Sequence, residues 1–336
     1  LSMSLSVGAS VYPDHESDAE SLLQAADAAL FRAKELGRSQ MCFFSPELLD
    51  AAASRFNTEQ GLRRAIERGE FELFFQPEVN AGTGQVDLVE ALLRWRLPNG
   101  TYQMPADFLP VAEEAGLIGE ISDWVIQSAV ETAARWHHTT WPEVRVAINL
   151  SSRQLLDSGF VDRLQDLLGR NQLPTRCIEI ELTENVLQTG TVTIHTLRLL
   201  RAAGFGVALD DFGTGYSSLV SLEQLPLSRV KLDRGLIATI DTSARSLAIA
   251  QAIIGLCTSL GLEITAEGVE RRAQLDALLG HPGMYLQGYL FSPAVCSGDV
   301  LPLIARMGER VRSFLQPRLS ANTGSTQKRR ALSSVK

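Results

Sequence analysis

Residues 177–210 read CIEIELTENVLQTGTVTIHTLRLLRAAGFGVALD and hold one strand–helix–strand unit. In Ile178-Glu179-Ile180-Glu181-Leu182 aliphatic and acidic residues alternate, so the apolar side chains share one face and Glu179 and Glu181 the other. Leu197 and Leu200 mark a helical stripe. Val207-Ala208-Leu209-Asp210 then returns as a strand, with Asp210 in the polar phase. Two strands separated by a helix pair in parallel, with the apolar face turned outward to the helices.

The same rhythm extends in both directions. Residues 144–150, 177–182, 206–210, 229–233, 263–267 and 284–289 read as strands. Helical stripes stand around and between them: Ile121, Trp124, Val125 and Ala129; Leu164, Leu167 and Leu168; Ile249, Ile253, Leu256 and Leu260. Upstream, residues 72–76 and 86–95 are also strands. Only the turn around Asn80-Ala81-Gly82-Thr83-Gly84 separates them, too short for a crossover helix, so they form an antiparallel hairpin. Eight strands are the number that closes a barrel. The prediction is an α/β fold, a TIM-like (β/α)8 barrel with its first strand antiparallel, over residues 71–318.

Before the barrel, Met3, Leu5 and Val7 alternate as a strand, Tyr12-Pro13-Asp14 is a turn, and Leu22, Leu23, Ala26, Ala29, Leu30 and Ala33 stripe a helix. So short a piece has little core of its own; residues 1–48 are expected to be a domain fragment, and 49–70 a linker helix, helical from about Ala51. The Ser/Thr/Asn-rich stretch 319–336, with Lys328-Arg329-Arg330, is expected to be a disordered tail. The first residue is Leu1, and the chain is expected to be a cut from something longer.

With 336 residues and 45% hydrophobic content the chain can bury a large core. A net charge of −8 argues against a nucleic-acid polymer or a membrane surface as partner. Cys42, Cys177, Cys257 and Cys296 are far apart and read as reduced thiols of a cytoplasmic protein. No apolar run is long enough to span a membrane; a parent protein anchored through an upstream region stays open.

Each strand carries a polar residue within it or at its C-terminal end: Gln76, Glu90, Asn149, Glu181, Asp210 (followed by Asp211), Lys231, Glu267 and Gln287. Barrel enzymes build their sites at that end. So many acids in one mouth would repel one another unless cations neutralised them. Hard oxygen donors without His or Cys favour magnesium or manganese over zinc. Asp210 and Asp211 could bridge two ions, which together promote in-line phosphoryl displacement, and Lys231 could hold a phosphate oxygen or orient water. A magnesium-dependent enolising barrel with a lysine base fits these residue types as well. Asp211-Phe212-Gly213-Thr214-Gly215-Tyr216-Ser217-Ser218 reads as a glycine-rich loop beside the metals.

Glu90-Ala91-Leu92-Leu93-Arg94-Trp95 resembles the signature of the EAL-domain family, the phosphodiesterases of cyclic di-GMP. The resemblance continues through Asn149-Leu150-Ser151, Glu181-Leu182-Thr183-Glu184, Asp210 to Leu219, Lys231-Leu232-Asp233, Ala266-Glu267-Gly268-Val269-Glu270 and Gln287-Gly288-Tyr289. It implies hydrolysis of cyclic di-GMP to linear pGpG with two Mg2+ or Mn2+ ions. One would be held by Glu90, Asn149, Glu181 and Asp210, the other by Asp210, Asp211 and Glu267. Lys231, Glu267 and Asp211 would carry the chemistry, and Gln76, Arg94 and Gln287 would contact the ligand. Glu184 would support the loop, with Asp233 and Glu270 behind the ligands, and the domain would form a homodimer. A catalytically silent cyclic di-GMP receptor is the alternative. Family members commonly carry Asp at the position of Met284, a basic residue near Pro293 and Tyr at the position of Phe75, differences that bear on ligand affinity. Ala26-Asp27-Ala28-Ala29-Leu30-Phe31-Arg32-Ala33-Lys34 is similar to the end of a GGDEF, or diguanylate cyclase, domain.

Overall fold

The computed structural model describes residues 4–183, 191–213, 222, 224–308, 311 and 313–314. The chain divides into two compact units, residues 1–70 with 97–118 and residues 71–96 with 119–336.

In the first unit, β1 (Val7–Ala9) pairs in parallel with β2 (Met41–Phe43), and α1 (Ala19–Glu35) covers them. Asp18 caps α1 by accepting from the backbone N–H groups of Glu20 and Ser21. A small core of Ala25, Ala29 and Phe44 lies beneath. The expected strand through Leu5 is shorter than the alternation suggests, because β2 offers three residues to pair with and the ladder starts at Val7; Met3 lies outside the described residues. The helix expected from Ala51 begins earlier, as α2 (Pro46–Arg68), with Pro46 in the first turn, where its missing N–H is no loss, and left-handed Gly69 at its end. A short strand, β5 (Tyr102–Gln103), and α3 (Pro105–Glu114) complete this unit.

The second unit is the barrel. β3 (Phe71–Asn80) runs antiparallel to β4 (Val86–Arg96) on one side and to β11 (Met284–Leu286) on the other. Between them β4, β6 (Arg145–Asn149), β7 (Ile178–Thr183), β8 (Gly206–Phe212), β9 (Arg229–Leu232), β10 (Glu263–Ala266) and β11 pair in parallel, so eight strands close on themselves with the first reversed. A short β12 (Val295–Cys296) adds to β3. Val146, Ile148, Ile178, Ile180, Val207, Val230 and Leu232 are all buried on the outer phase of the strands. Each contributes about 1.5–3 kcal/mol by leaving water. Phe75, on the outer phase of β3, packs edge-on against Trp136 of α4 (Ile118–Thr139), with ring centroids 4.9 Å apart. Tyrosine's place in the resemblance is therefore taken by a residue of the helix-facing core, away from the mouth.

The four cysteines are unbridged. Among the described residues no helix is long and apolar enough to cross a membrane.

Candidate functional site

Period-two alternation on seven strands, carried one residue past the ends of β10 and β11, aims the site into one end of the barrel. Lys231, fully buried on β9, is its centre. Its ammonium lies 2.7 Å from Glu267 Oε1, 3.1 Å from Glu181 Oε2, 3.2 Å from Glu90 Oε2 and 3.5 Å from Asp210 Oδ1. Gln287 donates its amide to Glu90 Oε2 at 2.7 Å, and Asn149 to Glu90 Oε1 at 2.8 Å.

Asp210 and Asp211 are neighbours in sequence, and a regular strand would send them to opposite faces. The β8–β9 register shifts between Leu209 and Phe212, and Asp211 takes φ = 56°. This bulge with a left-handed aspartate, a conformation short polar side chains tolerate, turns both carboxylates to the mouth. Asp211 also donates its backbone N–H to Asp210 Oδ1 at 2.9 Å. Two triads result. Glu90, Glu181 and Asp210 each bring an oxygen within 4.8 Å of the other two, and so do Asp210, Asp211 and Glu267. Asp210 belongs to both.

The charges do not balance. Fully ionised, Glu90, Glu181, Asp210, Asp211 and Glu267 face one ammonium and leave four negative charges over. Burial, aided by Glu90 and Asp210 and opposed by Lys231, holds the Glu181 carboxyl well above the usual carboxylate range. Burial likewise pushes Glu267 up to about 8, against the pull of Lys231. Asp211 is raised by burial and by Asp210. Burial also works on Glu90, but the Lys231 charge and the donated amides of Gln287 and Asn149 outweigh it and hold this carboxyl low. Lys231 stays cationic, because the surrounding carboxylates outweigh its own burial.

The donor set fits divalent cations. Glu181 Oε1 is buried with no hydrogen-bond donor, an orphaned acceptor of the kind a cation satisfies. Two ions of charge +2 would cancel the excess, and oxygen donors without His or Cys suit magnesium or manganese.

Other residues singled out in the sequence stand further off. Gln76, opposite Glu90 in the β3–β4 register, donates its amide to the Ser292 carbonyl at 3.1 Å. Arg94 donates to the Leu93 carbonyl at 2.7 Å and lies over the Phe74 ring, 5.7 Å from its centroid. Asp233 caps the turn of helix after β9, accepting from Gly235 N–H at 2.7 Å. Glu270 is exposed and is not gathered into the carboxylate cluster. Met284 is buried on β11, beside Ile264 of β10. Glu184 and residues 214–218 of the loop lie outside the described residues.

The sequence reading missed a second polar layer deeper in the barrel, centred on Arg229. Its signal was available: Arg229 has the inward phase of Lys231, two residues away.

The sequence model of the EAL domain matches residues 59–294. The chain belongs to the EAL-domain family. This EAL domain is 39% identical over 293 residues to the cyclic di-GMP phosphodiesterase NbdA of Pseudomonas aeruginosa, covering 87% of this chain and 37% of that protein. It is 37% identical over 307 residues to the bifunctional diguanylate cyclase/cyclic di-GMP phosphodiesterase MucR of the same organism, covering 90% of this chain and 44% of the relative. The chain thus spans less than half the length of these curated relatives. A solved structure described as the PaMucR phosphodiesterase in complex with c-di-GMP superposes with a TM-score of 0.69 at 37% identity, over 73% of this chain and 99% of the other.

Proposed function

We propose that this EAL domain is a metal-dependent phosphodiesterase that hydrolyses one phosphodiester of cyclic di-GMP to give linear pGpG. The observation that carries the reading is the mouth itself: five carboxylates, four of them on one lysine, with a buried carboxylate oxygen left without a donor. The names of NbdA and MucR support the substrate.

Glu90, Asn149, Glu181 and Asp210 would hold one ion, and Asp210, Asp211 and Glu267 the other, both Mg2+ or Mn2+. Bound there, the ions supply Lewis acidity toward a phosphate oxygen and make a water acidic enough to attack near neutral pH. Lys231 would assist the attacking water as a positive charge and hydrogen-bond donor, and Glu267 or Asp211 would accept its proton. Water would add to phosphorus as it gives a proton to that carboxylate, the bond from phosphorus to the 3′ oxygen would break, and the 3′ oxygen would leave as a hydroxyl with a proton returned from that carboxylate or from solvent. Gln76, Arg94 and Gln287 would contact and orient the ligand. Glu184 would support the loop from Phe212 to Ser218, with Asp233 and Glu270 behind the metal ligands.

Several wider readings belong to the same proposal. Residues 1–48 would be the end of a GGDEF-like domain, 49–70 a linker helix, 71–318 the catalytic barrel and 319–336 a disordered tail. The domain would work in the cytoplasm as a homodimer.

The test is incubation with cyclic di-GMP and Mg2+ or Mn2+, following pGpG by chromatography, with a chelator control. Chelator-sensitive pGpG supports the proposal. Tight binding of cyclic di-GMP without product in excess metal overturns it in favour of the silent receptor.

A further inference from the structure

Beneath the mouth, the barrel is filled by a second ring of polar side chains. Arg229 is fully buried, yet each of its three nitrogens donates: Nε to Glu179 Oε1 at 2.8 Å, Nη2 to Glu263 Oε2 at 2.5 Å and Nη1 to Thr265 Oγ1 at 3.2 Å. The guanidinium carbon stands 4.2 Å from the centroid of the Tyr285 ring. Thr265 in turn donates to Glu78 Oε2 at 2.7 Å, and Arg145 donates to the Tyr285 hydroxyl at 2.6 Å and to Glu263 Oε2 at 3.2 Å.

The two rings are in step. Arg229 sits two residues before Lys231, Glu179 before Glu181, Thr265 before Glu267 and Tyr285 before Gln287, while on the reversed β3 Glu78 sits two residues after Gln76. Each of these five strands therefore carries a polar residue one layer up. β8 stands between Glu179 on β7 and Arg229 on β9, and its inward positions there are Gly206 and Ala208. A Cβ on Gly206 would come within 2.8 Å of Glu179 Oε2 and 2.9 Å of its Cγ, so glycine keeps open the gap through which Glu179 reaches Arg229.

We propose that Arg229 is a positioning residue: by tying β7, β9 and β10 together one layer below the mouth, it fixes the height at which Glu181, Lys231 and Glu267 meet their metals and substrate. A guanidinium suits this task because its planar fork bonds several partners at fixed angles. Outer partners that orient metal ligands are worth about 10–100-fold in metal affinity or activity, and a misplacement of roughly 1 Å can cost about 100-fold in rate. The catalytic part of the inference rests on the function proposed above; the metal-binding part does not.

The test compares the chain with Arg229→Met/Glu179→Gln, which removes the guanidinium together with the buried carboxylate that accepts from its Nε while Glu263 keeps Arg145 as a partner, and with Gly206→Ala, which pushes Glu179 aside and leaves Arg229 in place. Three quantities are read: Mn2+ binding by the loss of free-ion paramagnetic resonance signal, kcat against KM for cyclic di-GMP, and melting temperature. The expected result for the double variant is Mn2+ affinity lower by about 10-fold or more and kcat lower by about 10–100-fold, with KM within about twofold. Gly206→Ala should lower both affinity and kcat in the same direction. A folded double variant whose Mn2+ affinity and kcat stay within about twofold of the parent overturns the proposal. If the double variant does not fold, Gly206→Ala decides, and parental Mn2+ affinity there overturns it. If the parent binds Mn2+ but makes no pGpG, the proposed function fails while the Mn2+ comparison still decides the role of Arg229.

Discussion

Lys231→Met is the most informative single perturbation of the mouth. The ammonium is fully buried and lies within 3.5 Å of four carboxylates, and methionine keeps the volume while removing the charge. Breaking a buried ionic cluster by deleting one partner costs about 3–5 kcal/mol. A barrel of this size shifts about 2–4 °C per kcal/mol, so the melting temperature in chelator should fall by roughly 6–20 °C. The loss should depend on pH with a definite sign. Without the lysine the already raised carboxyls of Glu181 and Glu267 rise further. At pH 6 they take up protons and the repulsion is relieved; at pH 9 they are driven to ionise, and the deficit against the parent is larger. Divalent cations reverse it: Mn2+ at about 100 times its dissociation constant stabilises by about 2.7 kcal/mol per site by mass action, and the variant, which has lost its internal cation, should gain more from Mn2+ than the parent. The assay is calorimetry of both proteins at pH 6 and pH 9, with chelator and with Mn2+. A variant that melts with the parent in chelator, or gains no more from Mn2+ than the parent does, refutes the view that the mouth is an unbalanced cluster of acids built for cations.

Three further outcomes follow from the same geometry. Glu90→Ala removes a carboxylate that Gln287, Asn149 and Lys231 hold ionised, so Mn2+-dependent pGpG formation should fall by at least about 100-fold, the upper end of what outer partners alone command; normal turnover would show that this ligand is not needed. Glu267, pushed up to about 8, must lose its proton before it can ligate, so apparent Mn2+ affinity in a calorimetric titration should rise toward a limit of tenfold per pH unit from pH 6 to 8 and flatten above it; affinity independent of pH in that window would count against Glu267 as a ligand. At Asp211, φ = 56° is easy for glycine and strained for a β-branched residue by about 1–2 kcal/mol. Asp211→Gly and Asp211→Val should therefore both lose turnover, with only the valine variant also melting several degrees lower, and equal melting temperatures would contradict the strain argument.

Phase was enough to place much of the site from sequence, because a strand's period of two is rigid: once Ile178 and Ile180 face the helices, Glu179 and Glu181 have nowhere to go but inward. The reversed first strand was legible for an equally simple reason, a loop too short to cross over. Parity failed where the backbone leaves the regular strand. It could not place Asp210 and Asp211 on one face, because that takes a bulge and a left-handed residue whose sequence mark, two adjacent aspartates before Phe212-Gly213, is no different from an ordinary strand end. The first strand of the small unit was overextended for a related reason: alternation tells which residues would suit a strand, whereas its length is set by the partner strand, here three residues long.

The lower ring was missed for a different reason, and its presence says something about the barrel as a whole. Barrel interiors of this class are ordinarily layers of branched aliphatic side chains. Here the inward phase carries Glu78, Glu179, Arg229, Thr265 and Tyr285 at one level and Glu90, Glu181, Asp210, Lys231 and Gln287 at the next. A buried ionic layer is worth little for stability compared with an apolar layer of the same volume. The stabilising apolar burial must then come from the outer phase of the strands against the helices, which leaves the interior free to be specified for geometry. An apolar lower layer would pack as well but would leave the strands free to slide by fractions of an ångström beneath the mouth. Directional bonds from one guanidinium to β7 and β10, and through Thr265 to β3, remove that freedom. Where the carboxylates of one mouth come from several different strands, fixing the relative heights of those strands is itself the condition for a working site.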